Sequence, residues 1–420
     1  MNNTDLIIIG AGPGGYRAAE YAAKQGLKVV IFEGEEVGGT CLNVGCIPTK
    51  TYVHAASFEE ARERMAQVIP QLRSGIETIL SHPNITLVRE KASFVDPNTV
   101  EASPSGEVWK GANIIIATGS ETKMIPVQGL DDPRLVDSTG LLSLETLPKR
   151  LCIIGAGVIG MEFASVFHRF GSEVTVIEFL KECLPALDSD IAKRLRKTLE
   201  KQGITFKMKT AVQNLADIDA DVILMATGRK PRTEGLNLEA IGVTLAPNGA
   251  IPVDENYKLS TINCKLSTVY AIGDVNGKQM LAHAAEAQAR VVVDNILAGK
   301  DGQNNLNIMP AAIFTTPEAA CVGKSEDQLK EEGIAYECRK AFYRANGKAL
   351  AMNESEGMLK LLSEPDAGRI LGCHTFGAHS ADLVQEASVL MCLGATVKQL
   401  RQMVHIHPTL SEILLTAAEA

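Results

Sequence analysis

Short apolar runs alternate with longer mixed stretches along much of the chain, as in proteins whose parallel strands alternate with helices. Residues 5–10 and 28–32 are apolar runs of strand length, and residues 17–25 between them have a helical composition. A further apolar run at 113–117 predicts another buried strand. This pattern indicates a doubly wound α/β domain.

The same order of elements returns about 145 residues later, and the chain then changes character. Apolar runs at 151–154, 173–177 and 222–226 predict a second parallel sheet with a helix after its first strand. Beyond residue 310 the predicted strands come before the helices, which favours an α+β domain. Those strands are 311–314, 336–343, 357–363 and 370–376, and the helices are 379–393 and 396–404.

The connecting stretches carry weaker signals. Residues 55–80 have a helical pattern, which we expect Pro70 to break in two. Two short strands should flank a turn at 96–98, and residues 121–149 have the composition of a connector. Residues 269–272 predict a strand that leads into a helix at 280–298.

Composition narrows the class of protein. The chain has 420 residues, 45% of them apolar, which is enough for two or three soluble domains. Its formal net charge of −9 without a basic run argues against nucleic acid and anionic membranes as partners. The first residues lack a basic segment of the secretory kind, and no run approaches the ~20 apolar residues of a membrane span. We therefore expect a cytoplasmic protein.

Two glycine motifs follow the first strands of the two α/β regions. Gly10, Gly12 and Gly15 fit G-x-G-x-x-G, with a strand before them, a helix after them and Glu33 at the end of the next strand. Such glycines make the turn, admit a pyrophosphate and allow close packing of helix on strand, while the acid accepts from ribose hydroxyls. Gly155, Gly157, Gly160 and Glu178 repeat the arrangement. An acid at Glu178 favours NAD over NADP, because a 2′-phosphate needs a cation.

Cys41 and Cys46 stand five residues apart behind the first glycine motif. A redox pair, half of a metal site and two unrelated core thiols all fit this spacing. A metal site would need a second pair of ligands at similar spacing, and the other seven cysteines are scattered, as buried small hydrophobes would be. In an ideal helix these Cα atoms would lie about 8.7 Å apart, whereas a disulfide needs less than about 7 Å. A bridge would therefore require a local break, for which Gly39 and Gly45 give freedom.

Several longer motifs together resemble the pyridine nucleotide–disulfide oxidoreductase family, over almost the whole chain. They are GGTCLNVGCIPTK at 38–50, the paired glycine motifs, YAIGDV at 270–275, MLAHAAEAQA at 280–289 and HIHPTLSE at 405–412. The resemblance implies FAD in the first site, NAD in the second, a C-terminal interface domain and a homodimer. It implies an FAD domain at 1–147 and 235–308, an NAD domain at 148–234 and an interface domain at 309–420.

The resemblance also assigns roles. Cys46 would lie next to the flavin, and Cys41 would exchange with substrate. His407 would be the acid–base residue, oriented by Glu412, and Lys50 would pair with Glu162. The FAD contacts would be Gly10, Gly12, Gly14, Gly15, Glu33, Gly39, Thr40, Lys50, Ala92, Thr118, Gly119, Ser120, Asp274, Met280, Leu281, Ala282 and His283. The NAD contacts would be Gly155, Gly157, Val158, Ile159, Gly160, Glu178, Val212 and Gly228.

Within the family the chain is most similar to members that act on lipoyl groups. This implies oxidation of protein-bound dihydrolipoamide with NAD⁺, and a lipoyl-bearing partner from a 2-oxo-acid dehydrogenase or glycine cleavage complex. One alternative is reduction of another disulfide, such as glutathione disulfide, although Glu178 argues against NADPH. Another is a protein that keeps flavin for structure or sensing. The chain departs from the family in being short after Val212 and between Lys50 and Ile85, which makes NAD binding less secure than FAD binding.

Overall fold

The computed structural model describes residues 1–261, 264–302 and 306–420. In chain order the strands are β1 (Asn2–Ile9), β2 (Val29–Phe32), β3 (Ile85–Val88), β4 (Lys91–Asp96), β5 (Thr99–Ser103), β6 (Val108–Ile116), β7 (Ser120–Thr122), β8 (Leu135–Val136), β9 (Arg150–Ile154), β10 (Glu173–Ile177), β11 (Thr205–Lys207), β12 (Val222–Met225), β13 (Arg229–Pro231), β14 (Lys258–Thr261), β15 (Cys264–Ala271), β16 (Ala311–Ile313), β17 (Ala319–Gly323), β18 (Glu337–Phe342), β19 (Met358–Ser363) and β20 (Ile370–Phe376).

The α-helices are α1 (Pro13–Lys24), α2 (Gly39–Val44), α3 (Cys46–His54), α4 (Phe58–Leu80), α5 (Ser138–Leu142), α6 (Val158–Phe170), α7 (Ser189–Gln202), α8 (Ala282–Ala298), α9 (Glu326–Glu331), α10 (Gly347–Ala351), α11 (Ser380–Cys392), α12 (Val397–Leu400) and α13 (Glu412–Glu419). The chain divides into two compact units. Unit 1 contains residues 1–123 and 229–306, and unit 2 contains residues 124–228 and 307–420. The three predicted domain boundaries stay a prediction.

Unit 1 is built on a sheet with the order β14-β15-β6-β1-β2-β3, in which the strands from β15 to β3 run parallel. β1 is apolar from Leu6 to Ile9 because both faces of the sheet are covered. Leu6 and Ile8 pack in a cluster with residues of α1 and α8, whereas Ile7 and Ile9 pack with residues of β4 and β5. The strand ends that follow therefore stand on a rigid base.

Unit 2 contains two sheets of different kinds. The first is parallel, with the order β11-β10-β9-β12-β8, and the second is antiparallel, with the order β16-β17-β20-β19-β18. Residues of α11 and α13 belong to the apolar cluster of the antiparallel sheet. Two Rossmann-like regions and a C-terminal α+β region confirm the predicted fold class.

A buried charged cluster joins the two parts of unit 2. The ammonium of Lys360 on β19 lies 2.7 Å from Asp188 and 2.6 Å from Glu326, and Lys360 and Asp188 are almost fully buried. The backbone N–H of Asp188 donates to Nδ1 of His374 on β20 at 3.2 Å. Burial lowers the pKa of His374 to about 4, more than the nearby Asp188 carboxylate raises it.

Some sequence expectations were wrong. Pro70 does not break the helix, because α4 runs through it without interruption. The carbonyl at Ala66 that loses its donor belongs to an exposed residue, so water can replace the missing hydrogen bond. β17 and α13 were missed, and the helix expected at 396–404 covers only Val397–Leu400.

The scattered cysteines do not all behave as buried hydrophobes. Cys152, Cys183 and Cys373 are buried, but Cys392 at the end of α11 is exposed. The side chain of Cys264 lies outside the described residues. Within the described ranges, no helix combines the length and apolarity that a bilayer crossing requires.

Candidate active site

The segment with the two cysteines is broken where the sequence required a break. α2 ends at Val44, Gly45 takes φ −137° and ψ −112°, and α3 starts at Cys46. A β-carbon on Gly45 would lie 2.8 Å from the carbonyl oxygen of Thr40, which leaves no room for a side chain. The expected departure from an ideal helix is confirmed, and glycine is required there.

The two thiols have different surroundings. Cys41 lies inside α2 and is half-buried, whereas Cys46 is the first residue of α3 and is exposed. Both are thiols in the structure and they share a hydrogen bond, which together with burial raises the pKa of Cys41 well above its usual range, against the opposing charge of Lys50. A helix N-terminus favours a negative charge, so Cys46 is placed to be the thiolate of the pair. Lys50 follows it by one turn on α3.

The first glycine motif has the geometry of a dinucleotide-binding turn. Gly10 has φ +102°, and a β-carbon on Gly15 would lie 1.8 Å from the carbonyl oxygen of Gly10. Oε2 of Glu33 accepts from the backbone N–H of Ala11 at 2.8 Å, and burial raises the pKa of this carboxyl. A β-carbon on Gly12 would have its nearest neighbour 4.0 Å away, at Cα of Gly39, so the backbone there is open to a phosphate.

The first turns of α1 and α8 meet in unit 1. A β-carbon on Gly14 would lie 3.3 Å from the β-carbon of Ala285, one turn into α8. Two helix N-termini side by side favour an anion, as a pyrophosphate requires. Met280 and Leu281 lead into α8, and Ala282 and His283 are its first residues. The residues of this region therefore fit FAD.

Ser120 and Asp274 form one polar cluster with an arginine that sequence reasoning missed. The Ser120 hydroxyl donates to the Asp274 carboxylate and accepts from Nε of Arg229 at 2.7 Å. Burial raises the pKa of Asp274, while Ser120 and the charge of Arg229 oppose this rise. Arg229 belongs to the run from Thr227 to Pro231, in which the sequence predicts only Gly228 as a site residue.

The other predicted FAD residues lie around this core. Thr118 donates to the carbonyl oxygen of Arg232 at 2.7 Å, and Gly119 follows it. Ala92 is buried in β4, and Thr40 stands in the first turn of α2. The cysteine pair, Lys50 and all of the predicted FAD residues belong to unit 1, and their shared FAD site stays a prediction.

The second glycine motif repeats the geometry of the first in unit 2. Gly155 has φ +107°, and a β-carbon on Gly160 would lie 2.0 Å from the carbonyl oxygen of Gly155. Oε2 of Glu178 accepts from the backbone N–H of Ala156 at 2.6 Å. Among the described residues, no heavy atom lies within 4 Å of a β-carbon built on Gly157. This open backbone fits the pyrophosphate of NAD.

The remaining NAD candidates border this motif. Val158 and Ile159 open α6, and Gly228 follows the end of β12. Val212 packs against the apolar cluster of the sheet, two residues after Thr210, whose N–H donates to the carbonyl oxygen of Glu178 at 2.9 Å. All of them lie in unit 2.

His407 and Glu412 also lie in unit 2 and form a pair. Nδ1 of His407 is 2.9 Å from Oε1 of Glu412, and Oε2 accepts from the N–H of Thr409 at 2.8 Å. The N–H of Thr409 and the His407 ring lower the pKa of Glu412. The imidazole is 79% exposed, so Nε2 is available for proton transfer with a ligand.

Glu162 is buried in α6, where it accepts from the N–H of Phe314 at 2.9 Å. Lys50 belongs to unit 1 and Glu162 to unit 2, and their pairing stays a prediction. No group of three or more possible metal ligands occurs among the described residues.

Comparison with known families gives two matches that together span most of the chain. Residues 4–289 match pyridine nucleotide-disulphide oxidoreductase, and residues 309–418 match the dimerisation domain of the same family. Mitochondrial dihydrolipoyl dehydrogenase from Pisum sativum is 38% identical, with 100% of this chain and 91% of the relative covered. The enzyme of the same name from Caenorhabditis elegans is 37% identical, with 98% of this chain and 91% of the relative covered.

A solved structure with a different described activity is also similar. The Cu(II) complex of the HOCl-induced flavoprotein disulfide reductase RclA from Escherichia coli superposes with a TM-score of 0.93 at 32% identity. The match covers 100% of this chain and 99% of the RclA chain.

Proposed function

Because the chain belongs to the pyridine nucleotide-disulphide oxidoreductase family, we propose that it is a dihydrolipoyl dehydrogenase. It is an oxidoreductase that acts on sulfur groups, and its cofactors are FAD and NAD. The observation that carries the choice of substrate is the identity of 38% and 37% to two enzymes of that name, over 100% and 98% of this chain. The cysteine pair, with its two chemically different thiols, supports the disulfide chemistry itself.

In the proposed reaction the oxidised cysteine pair receives electrons from the dithiol. A dihydrolipoamide thiolate attacks Sγ of Cys41, the protein disulfide breaks, and a mixed disulfide forms as Cys46 leaves as a thiolate. The second substrate thiolate then attacks the substrate sulfur of the mixed disulfide. This attack releases lipoamide and leaves Cys41 reduced, so two electrons have moved from substrate to protein.

The protons of the dithiol need an acceptor near Cys41. His407 of the partner subunit would take this role, with Glu412 holding its ring and stabilising the imidazolium. The positive charge of Lys50 would stabilise the Cys46 thiolate. When bound, FAD and NAD supply the relay that removes the electron pair from the reduced cysteines.

A homodimer is part of the proposal. Support comes from the family description of residues 309–418 and from apolar side chains that stand exposed in that segment. Leu393, Val404 and Ile406 are 78%, 99% and 79% exposed. The lipoyl-bearing partner from a 2-oxo-acid dehydrogenase or glycine cleavage complex is proposed from the activity, and a cytoplasmic location from the exposed thiols, which need a reducing compartment.

The test is turnover of purified protein with dihydrolipoamide and NAD⁺, beside glutathione disulfide with NADPH. We expect lipoamide activity that Cys46→Ser abolishes and that Cys392→Ser, at another exposed thiol, leaves intact. Glutathione turnover with NADPH and none with dihydrolipoamide would contradict the assignment. Full lipoamide activity in Cys46→Ser would contradict the mechanism.

A second candidate function has one observation in its favour. The disulfide reductase RclA has the same fold over 100% of this chain, with a TM-score of 0.93 at 32% identity. In that case the electrons would run from NADH through the same cysteines to an oxidant. Oxidation of NADH by disulfides or Cu(II) in the absence of lipoamide activity would select this candidate.

A further inference from the structure

Asn43 lies between the two cysteines, and its side chain is fully bonded. Its Nδ2 donates to the carbonyl oxygens of Gly39 at 2.9 Å and Val37 at 3.0 Å, with that of Glu36 at 3.4 Å. Its Oδ1 accepts from Nη2 of Arg73 at 2.7 Å and from Nε at 3.2 Å. The amide therefore ties the loop before α2 to a side chain from a distant helix.

Arg73 on α4 holds both ends of this loop. Besides the two bonds to Asn43, its Nη1 lies 3.3 Å from the carboxylate of Glu36. The guanidinium is a planar fork with fixed donors, so one side chain sets the separation of residues 36 and 43. Cys41 stands between these two points.

The opposite side of the loop is also restrained. A β-carbon on Gly39 would lie 2.8 Å from Cα of Gly12, so the loop is pressed against the first glycine motif. If the Asn43 amide were reversed, its oxygen would face the carbonyls of Val37 and Gly39. The Arg73 fork excludes this state, because it requires an acceptor on its own side.

We infer that Arg73 is a positioning residue for the redox pair: acting through Asn43, it keeps the Cys41 thiol within hydrogen-bond reach of Cys46 and so sets the stability of the disulfide that the pair forms. The inference rests on the proposed function insofar as the pair must be redox-active. It concerns α4, which follows Lys50 in the stretch that is short for the family.

The affected reaction is disulfide formation within the pair. With glutathione disulfide as oxidant, the two thiols form one S–S bond and two glutathione thiols are released. The equilibrium depends on the effective concentration of Cys41 at Cys46, which falls when the loop is less restrained. A tenfold fall makes the protein disulfide tenfold easier to reduce and raises its potential by about 30 mV.

The test is a redox titration of the flavin-loaded protein in glutathione buffers, with thiols trapped by alkylation and counted by mass. We expect the equilibrium constant for disulfide formation to fall tenfold in Arg73→Met. Arg73→Lys should restore part of it, because lysine keeps the charge and one donor nitrogen. Arg89→Met is the matched control. Arg89, just after β3, pairs at 2.7 Å with Glu77, which lies on α4 as Arg73 does. Removing this pair should leave the equilibrium constant unchanged.

A double-mutant cycle tests the route through Asn43. In the Asn43→Ala protein, or Asn43→Ser if the former loses flavin, Arg73→Met should add nothing. A wild-type equilibrium constant in Arg73→Met overturns the inference, and so does an undiminished Arg73→Met effect in the Asn43 variant.

The titration also separates this inference from the proposed function. A shifted constant in a protein without lipoamide turnover contradicts only the proposed substrate. Normal turnover with an unshifted constant contradicts only the role of Arg73.

Discussion

The two dinucleotide-binding motifs of this chain are built alike but enclosed differently. Both have a first glycine at positive φ, a last glycine that contacts the first carbonyl, and a glutamate that accepts from the motif's backbone. The difference lies beside the middle glycine. A β-carbon on Gly39 of the cysteine loop would lie 2.8 Å from Cα of Gly12, so this loop packs beside the first motif, whereas a β-carbon placed on Gly157 would have no heavy atom of the described residues within 4 Å.

This difference matches two modes of cofactor use. In unit 1 the chain returns after Glu33 to cover the motif with the segment that carries the cysteines. In unit 2 the chain after Glu178 runs on to Asp188, which is buried against the antiparallel sheet. We propose that FAD stays bound in unit 1, where the cysteine segment lies beside the motif, and that NAD exchanges in unit 2, where the corresponding segment is anchored elsewhere.

The largest expected effect comes from the last glycine of each motif. In Gly15→Ala the new β-carbon meets the Gly10 carbonyl at 1.8 Å, so we expect a loss of about 4 kcal/mol of stability and of bound flavin. Gly160→Ala should lose NAD binding and keep flavin. Flavin absorbance measures the bound flavin, thermal unfolding measures the stability, and titration with NADH measures nucleotide binding. Gly75→Ala is the control, because its β-carbon would have no heavy atom of the described residues within 4 Å. Equal flavin loss in both variants would break the comparison.

Acid should affect unit 2 before unit 1. The folded pKa of His374, about 4, lies below its ordinary value, so the unfolded chain binds a proton that the folded chain refuses. The neutral His374 ring contributes its full share to the free energy of unfolding above pH ~6.5. As the pH falls, this contribution is lost, and the loss reaches about 3 kcal/mol at pH 4. Urea unfolding of wild type and His374→Gln from pH 7 to 4 should show a flatter profile for the variant, with exposed His379→Gln as control.

The single tryptophan makes this contrast visible. Trp109 belongs to β6 in unit 1, so its fluorescence follows that unit, whereas circular dichroism follows both. In acid the dichroism of the wild type should fall at lower urea than the fluorescence. Coincident transitions, or an unchanged pH profile in His374→Gln, would contradict the prediction.

A smaller effect is expected at the open glycine. In Gly157→Ala the β-carbon meets no protein atom of the described residues and projects where we place the pyrophosphate. NADH affinity should fall about tenfold, about 1.4 kcal/mol, without a change in melting temperature. Titration of NADH measures this, and Gly347→Ala is the control. Unchanged affinity would place the pyrophosphate elsewhere.

The smallest effect concerns nucleotide choice. Glu178→Gln keeps an acceptor for the Ala156 N–H but removes the charge that repels a 2′-phosphate. The preference for NAD⁺ over NADP⁺ should fall about fivefold, about 1 kcal/mol. The ratio of kcat/KM for the two nucleotides measures this preference, and the control is Glu173→Gln, at the exposed start of β10, the strand that Glu178 follows. An unchanged ratio would show that Glu178 does not face the ribose.

Local patterns were enough for most of the fold. β10 and β20 have the predicted bounds, because each is a distinct run between breaks. β17 was missed since Ala319–Gly323 is rich in small residues and lacks a strand-like pattern. The break predicted at Pro70 was wrong, because the free energy lost with the backbone hydrogen bond depends on whether the affected carbonyl reaches water. The sequence does not show this exposure.

The candidate site divides in the same way. The glycine motifs and their acids could be derived from spacing, whereas the roles of His407 and Glu412 came from resemblance. Arg73 and Arg229 could not be predicted, because their contacts with Asn43 and Ser120 join residues 30 and 109 positions apart. Such contacts depend on how elements pack, and a single sequence carries no periodic signal for them.

The division of unit 1 into two segments has a consequence for synthesis on the ribosome. β6 completes its parallel pairing only with Val269–Ala271 of β15, roughly 150 residues after β6 itself, which at ~5–20 residues per second takes about 8–30 s. During this interval the nascent chain carries an open apolar sheet edge while the first part of unit 2 emerges. The exposed edge is then a natural point for chaperone binding, and the order of segments makes translation speed part of how this protein reaches its fold.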